Sequence, residues 1–218
     1  MLTLVIGNKN YSSWSLRPWL LLTESGVPFD EVRLLLDTPE FQETIARWAP
    51  NRRVPALHDG DLVIWDSLAI CEYANEQYLD GRGWPADVAA RAHARSAAAE
   101  MHSGFTALRT QMPMNMRRTP DAYRWDAAAD KDIARIQQLW RDLRERHGRG
   151  GPFLCGAFSI VDAMFAPVVS RFLSYGVPMD ANARAFADAI QSLAGWQAWR
   201  AAGDAEVEFI EDTERFRA

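Results

Sequence analysis

Short apolar runs broken by turn residues fill the first third of the chain, and longer helical patterns fill the rest. Leu2, Leu4, Val5 and Ile6 form a brief apolar run, as a buried strand does. Residues 7–13 are polar and read as a turn. A Leu- and Trp-rich helix follows as far as Leu22. Gly26-Val27-Pro28 stops it, because glycine suits the position after a helix end and proline cannot continue one. Residues 29–36 mix charge with Phe29, Val32, Leu34 and Leu36 and read as a second strand. Residues 39–48 form a short helix or irregular turn, closed by Ala49-Pro50-Asn51. Two apolar runs then flank Asp59-Gly60-Asp61, a hairpin signal, and Pro55 opens the first run, where its missing N–H does least harm. After Asp66-Ser67, the residues Leu68, Ile70, Cys71, Ala74 and Tyr78 recur at helical spacing. The order is β-α-β-α-β-β-α, and the helical crossover makes the first two strands parallel.

Gly81-Arg82-Gly83-Trp84-Pro85 reads as a linker, after which the pattern becomes entirely helical. Residues 87–109 are rich in Ala, Arg and Glu and predict one long helix, interrupted or kinked at Met112-Pro113-Met114-Asn115-Met116. Residues 126–147 predict a second long helix with Ile133, Ile136, Leu139, Trp140 and Leu143 on one face. Ser159 and Asp162 form a capping-box pair that opens a nearly all-apolar helix through Phe165, Val168, Val169 and Phe172. That helix is expected at the centre of a bundle completed by residues 182–193 and 196–202. The remaining residues, polar around Phe209, Ile210 and Phe216, are expected to pack over the surface. The fold class is therefore α/β plus all-α, with domains at 1–80 and 87–218.

Composition narrows the function. The chain has 218 residues and a net charge of −5, which argues against a general nucleic-acid binder. Its two cysteines, Cys71 and Cys155, form no CxxC or Cys/His cluster, so neither a disulfide framework nor a zinc site is expected. No run approaches a membrane span and the start lacks a secretory pattern, so a cytoplasmic protein without membrane contact is expected. Nine tryptophans suggest aromatic surfaces between elements or along a pocket.

The candidate chemistry sits where the first turn meets the first helix. Ser12, Ser13 and Ser15 cluster there. Serine caps helices, and a helix start, with partial positive charge and free N–H groups, also holds anions. Capping alone would account for these serines. Capping would likewise account for Asp66-Ser67, although an acidic residue and a free N–H at a helix start also suit an ammonium and a carboxylate.

Several stretches together resemble the glutathione S-transferase superfamily. Tyr11-Ser12-Ser13-Trp14-Ser15-Leu16-Arg17 resembles the serine-type active-site segment of the zeta, theta and delta classes. Arg53-Val54-Pro55-Ala56-Leu57 resembles the cis-proline segment before the third strand. Asp66-Ser67-Leu68-Ala69-Ile70 resembles the acidic-or-Gln plus Ser motif of the third helix, and Ser159-Ile160-Val161-Asp162-Ala163 the capping motif of the central helix. The resemblance covers nearly the whole chain in order. It implies a thioredoxin-like glutathione-binding domain followed by a helical domain that carries the second-substrate pocket.

The resemblance also implies roles. Ser12 would donate its hydroxyl to the glutathione sulfur, with Ser13 the nearest rival and Tyr11 a poorer fit. Ser13, Arg53, Val54, Pro55, Asp66 and Ser67 would bind the tripeptide. Val54 would pair with it as a strand does, Asp66 would take the ammonium, and Arg52 or Arg53 would take the glycyl carboxylate. Met112, Met114, Met116 and Tyr123 would wall a second, apolar pocket. The implied reaction is conjugation of the thiolate to a hydrophobic electrophile in detoxification, with glutathione as co-substrate and no resident cofactor. Glutathione-dependent isomerisation of the maleylacetoacetate type and peroxide reduction are alternatives, as is a transferase-like interaction module without turnover. A homodimer through the third and fourth helices is implied. The chain departs from the zeta pattern at Trp14, where that class usually has Cys, and Asp66 stands in place of the commoner Glu or Gln.

Overall fold

The computed structural model describes residues 1–214. Strand β1 (Leu2–Ile6) is followed by α1 (Ser13–Glu24), β2 (Asp30–Arg33), α2 (Pro39–Ile45), β3 (Ala56–Asp59), β4 (Leu62–Trp65) and α3 (Ser67–Gln77). The sheet order is β2-β1-β3-β4, with β2 parallel to β1 and the other pairs antiparallel. The expected β-α-β-α-β-β-α unit is present. Its register follows from period-two alternation along β1. Leu2, Leu4 and Ile6 join the main core, whereas Val5 joins a smaller cluster with Leu34, Ile45, Ala49 and Ala56.

The second half is helical. It comprises α4 (Val88–Ser103), α5 (Thr106–Gln111), α6 (Ala127–His147), α7 (Ile160–Ser174), α8 (Ala181–Ser192), α9 (Ala194–Ala205) and a short α10 (Glu211–Glu214). One expectation is corrected here. The long helix over 87–109 is two helices, and the break falls at Gly104-Phe105 rather than at Met112-Pro113. Phe105 adopts φ 56°, a left-handed conformation that ends an α-helix, while its ring stays buried. Two elements are also shorter than expected. Strand β2 stops at Arg33, and α2 gives way to a turn after Ile45.

Helix α7 is the expected buried centre. Its start carries the capping box, in which the Asp162 carboxylate accepts from Ser159 N at 2.8 Å, Ser159 Oγ at 2.9 Å and Leu154 N at 2.9 Å. Trp140 of α6 contacts Phe165 and Phe172 of α7 and Phe186 of α8 at ring separations of 5.8, 5.3 and 4.8 Å. Helix α1 packs against α7, α3 and α9, so one apolar core joins the sheet and its helices to the helical second half. The linker is tied down as well: Gly83 N donates to Asn75 Oδ1 and Ile160 N donates to Gly83 O.

The C-terminal segment is placed more specifically than the sequence suggested. Glu206 accepts from the N–H groups of Lys9 and Asn10 at 2.7 and 3.0 Å and pairs with Arg33. Glu214 accepts from the Tyr11 hydroxyl at 2.7 Å. The segment therefore straps the turn that precedes α1. Phe216 lies outside the described residues. No helix among them is long and apolar enough to cross a membrane.

Candidate functional site

Ser12 occupies the N-cap position of α1, yet its side chain makes no cap bond. Its Oγ lies 2.7 Å from Ser15 Oγ, which in turn accepts from Gly7 N at 3.2 Å. Capping therefore does not account for Ser12. Hydroxyl protons rotate to suit their partners, and Ser15 is already an acceptor. Ser12 Oγ donates to Ser15 Oγ here, and its proton can rotate to a further acceptor when one is bound. Ser13, half-buried, accepts from Arg171 Nη2 of α7 at 3.3 Å. Tyr11 is engaged elsewhere. Its hydroxyl meets Glu214 at 2.7 Å and Arg117 at 2.6 Å, and burial together with the Glu214 hydrogen bond raises its pKa.

A cleft of about 280 Å³ opens beside this helix start, walled by Trp14, Val54, Pro55, Asp66, Ser67 and His102, with Asn51 and Arg53 at its edge. The Val54-Pro55 bond is cis, as the resemblance implied. Val54 lies just outside β3, so its N–H and C=O take no part in the sheet register. Asp66 sits at φ 76° between β4 and α3. One of its oxygens accepts from Leu68 N at 2.9 Å and Ala69 N at 3.3 Å; the other meets His102 Nε2 at 2.9 Å. Ser67, the first residue of α3, is buried, and its Oγ accepts from Arg17 Nη1 at 3.4 Å. A first-turn N–H has no acceptor within its own helix, so this end of the cleft offers donors to an anion.

The structure thus gathers Arg53, Val54, Pro55, Asp66 and Ser67 around one cleft, with Trp14 of α1 as its aromatic wall. Ser12 and Ser13 stand next to Trp14 at the helix start. The methionines are different. Met112, Met114 and Met116 are at most 2% exposed and belong to the core; Met116 Sδ accepts from Ser170 Oγ at 3.2 Å. These three side chains pack in the main core and do not line the cleft. Tyr123 is half-buried with its ring 5.7 Å from Tyr175, and it does not line the cleft. A larger groove of about 770 Å³ lies by the linker, between Trp84, Arg91, His147 and Cys155, and contains none of the predicted site residues.

Sequence reasoning missed His102, Arg109 and Arg171. They come from α4, α5 and α7 and reach the site only through packing of the helical domain. Trp14 carries two guanidiniums over its ring, Arg17 at 4.2 Å and Arg109 at 5.1 Å, with His102 edge-on at 5.3 Å.

A sheet with one parallel pair, a cis-proline loop and a helix start converging on one cleft define a thioredoxin-like domain, joined here to a helical bundle. Residues 11–77 match the family model "Glutathione S-transferase, N-terminal domain". The mouse glutathione S-transferase theta-3 is 34% identical over 94 residues, which span 42% of this chain and 38% of that one. The Escherichia coli glutathione S-transferase GstB is 28% identical over 130 residues, 59% of this chain and 62% of that one. The alignments thus span less than two thirds of these curated relatives. A solved Burkholderia glutathione transferase homologue with bound glutathione superposes with a TM-score of 0.69 at 23% identity, covering 94% of this chain and 99% of that one. Residues 11–77 thus resemble the N-terminal domain of glutathione S-transferases, and the fold of the chain is that of solved glutathione transferases.

Proposed function

We propose that this protein is a glutathione transferase that activates the glutathione thiol at the start of α1. The observation that carries the reading is the convergence on one cleft of the Val54 peptide before cis Pro55, the Asp66-Ser67 start of α3 and Trp14 of α1, with Ser12 and Ser13 beside Trp14 at the same helix start. Their order matches a γ-glutamyl tripeptide. The Ser67 end takes the glutamyl carboxylate, and Asp66, oriented by His102, takes its ammonium. Val54 pairs with the cysteinyl peptide as a neighbouring strand would. Arg53, exposed at the rim, takes the glycyl carboxylate.

This arrangement brings the sulfur to the helix start. Ser12 donates to the thiolate, supported by the Ser15–Gly7 relay and the partial positive charge of α1. The thiol proton leaves to solvent on ionisation. The sulfur lone pair then forms the bond to an electrophilic carbon, and the displaced group departs with its electron pair. Ser12 acts as a hydrogen-bond donor throughout and forms no covalent intermediate.

The working form is a homodimer. Strand β4 is a sheet edge, and Leu62 and Trp65 on it are 50% and 46% exposed, an apolar surface of the kind that a second copy covers.

Titration calorimetry with reduced glutathione tests the reading. Saturable binding, one tripeptide per chain, is expected in the wild type. Binding about tenfold weaker is expected in Ser67→Ala, which loses one charge-assisted hydrogen bond. No measurable heat at millimolar glutathione, with direct equilibrium dialysis also blank, would sink it.

A further inference from the structure

The turn that presents Ser12 is closed on itself and held from outside. Tyr11 N and Ser12 N both donate to Asn8 O, at 3.1 and 2.8 Å, so Lys9 and Asn10 form the tip of a short loop that ends at Ser12. Both tip residues are gripped by the second half of the chain. Asn10 O accepts from Met116 N at 3.1 Å, and Asn10 Oδ1 accepts from Arg117 N at 3.0 Å. Lys9 O accepts from Trp199 Nε1 of α9 at 2.8 Å. The two tip N–H groups go to a single carboxylate. Glu206 Oε1 accepts from Lys9 N at 2.7 Å, and Oε2 accepts from Asn10 N at 3.0 Å. Among the described residues, neither N–H has another acceptor.

The packing of α9 fixes where that carboxylate lies. Glu206 follows α9 directly. Trp199 of α9 is fully buried, with its ring 5.1 Å from that of Trp19 in α1. At Gly203 the helix comes so close to the turn that a Cβ would lie 3.2 Å from Asn10 N and 3.3 Å from Asn10 Cα. The Glu206 side chain is 6% exposed, and Arg33 Nη1 at 2.8 Å balances its charge. Arg117 donates to the Glu206 carbonyl. A carboxylate accepting backbone N–H groups makes charge-assisted hydrogen bonds, which are shorter and stronger than those to a neutral oxygen.

We propose that Glu206 is a positioning residue for thiol activation: by clamping the N–H groups of Lys9 and Asn10, it sets the place of the Ser12 hydroxyl. This rests on the glutathione reading above. Glu206 lines no part of the cleft and does not touch Ser12, so it acts through the turn. Without it, two backbone donors lose their acceptor, and the tip must turn to find water. The closing bond from Ser12 N to Asn8 O carries that movement to the start of α1. Hydrogen bonds weaken steeply once their angle is lost, so the sulfur loses its aligned donor. The tripeptide keeps its own partners at Val54, Asp66 and Ser67, which belong to other segments.

The test is the ultraviolet titration of the bound glutathione thiol in the intact protein, with calorimetry on the same variants for affinity. Glu206→Ala should raise the bound thiol's pKa by about one unit, with glutathione affinity within about twofold of the wild type. Glu206→Gln keeps one acceptor oxygen at the same reach and should fall between the two. Gly203→Ala removes no hydrogen bond but presses a methyl group on Asn10, and it should raise the thiol pKa as well. Glu208→Gln breaks an ion pair with Arg33 on the same segment without touching a turn N–H, and it should titrate as the wild type does. A purely structural Glu206 would lower Tm and leave the titration in place. Wild-type titration in folded Glu206→Gln and Gly203→Ala therefore overturns the inference while leaving glutathione binding intact. If reduced glutathione fails to bind the wild type, the underlying reading falls instead, so the two failures are distinguishable.

Discussion

Replacing Ser12 with alanine isolates the step on which the proposed chemistry depends. The free thiol ionises near pH ~8.5, and a hydrogen bond to a charged acceptor contributes about 1.5–3 kcal/mol. At 1.36 kcal/mol per unit, losing that bond raises the bound thiol's pKa by about 1–2 units. The α1 start, worth about 0.3–1 kcal/mol, survives the substitution, so the thiol stays somewhat more acidic than in free glutathione. Ser15→Ala breaks only the relay behind Ser12, since Ser15 lies 2.7 Å from Ser12 Oγ and holds Gly7 N at 3.2 Å. A shift of roughly half that size is expected. Ser13→Ala leaves the Ser12–Ser15 pair untouched and should hardly move the thiol.

The assay is the ultraviolet absorbance of the thiolate in the protein–glutathione complex, titrated against pH at saturating glutathione. Calorimetric affinities on the same variants separate binding from ionisation. Conjugation rates of Ser12→Ala should fall by about 10- to 100-fold near neutral pH and converge on the wild type above both thiol pKa values. A wild-type-like titration in Ser12→Ala refutes the reasoning. A large shift in Ser13→Ala alone would move the donor role to Ser13, whose hydroxyl is held by Arg171.

Three further predictions concern the scaffold. Asp162→Ala strands the N–H groups of Leu154 and Ser159 in the core and should cost about 3 kcal/mol or more, read from urea midpoints. Burial pushes the Asp162 carboxyl up to about 7 from 3.8, so the folded chain holds that proton more tightly than the unfolded one. The resulting stability is fully present below about pH 4 and lost as pH rises through about 7; Asp162→Asn should flatten that slope. Arg117→Ala removes the cation that holds the Tyr11 hydroxyl, Glu208 O and buried Glu214, and should cost about 2–3 kcal/mol with a corresponding fall in Tm. Trp65→Arg on the exposed β4 edge should convert the dimer to monomers in light scattering without lowering Tm, and an unchanged mass would discard β4 as the interface.

What the sequence disclosed and what it hid divide along local and tertiary lines. The strands, α1, α6, α7, the Asp66-Ser67 junction and the Ser159/Asp162 box were legible because each is written in a few consecutive residues. The break at Gly104-Phe105 was hidden because a left-handed phenylalanine has no propensity signal, and burial of its ring helps to hold it there. The role of the methionines was hidden for a related reason. Met fills gaps in cores and lines adaptable pockets alike, and only packing against α7 decides between them. His102, Arg109 and Arg171 could not be picked out, since nothing near them in sequence mentions residues 13, 14 or 66. The same holds for the C-terminal strap, whose glutamates meet Lys9, Asn10 and Tyr11 across nearly the whole chain.

Those tertiary contacts change what the domain boundary means. The first 80 residues contain the serines and every cleft wall but His102, yet each serine-side element is completed from elsewhere. Arg171 of α7 holds Ser13, His102 of α4 orients Asp66, and Arg109 of α5 covers Trp14. Arg171 in turn is anchored by the carbonyls of Met112 and Pro167, inside the helical core. The proposed thiol site therefore depends on the packing of α1 on α7, which is apolar and continuous. Loosening the helical domain would disturb the position and charge around the sulfur before it opened the glutathione cleft, because Val54, Pro55 and Ser67 belong to the first domain. The binding elements and the activating elements thus have separable supports, one local and one interdomain.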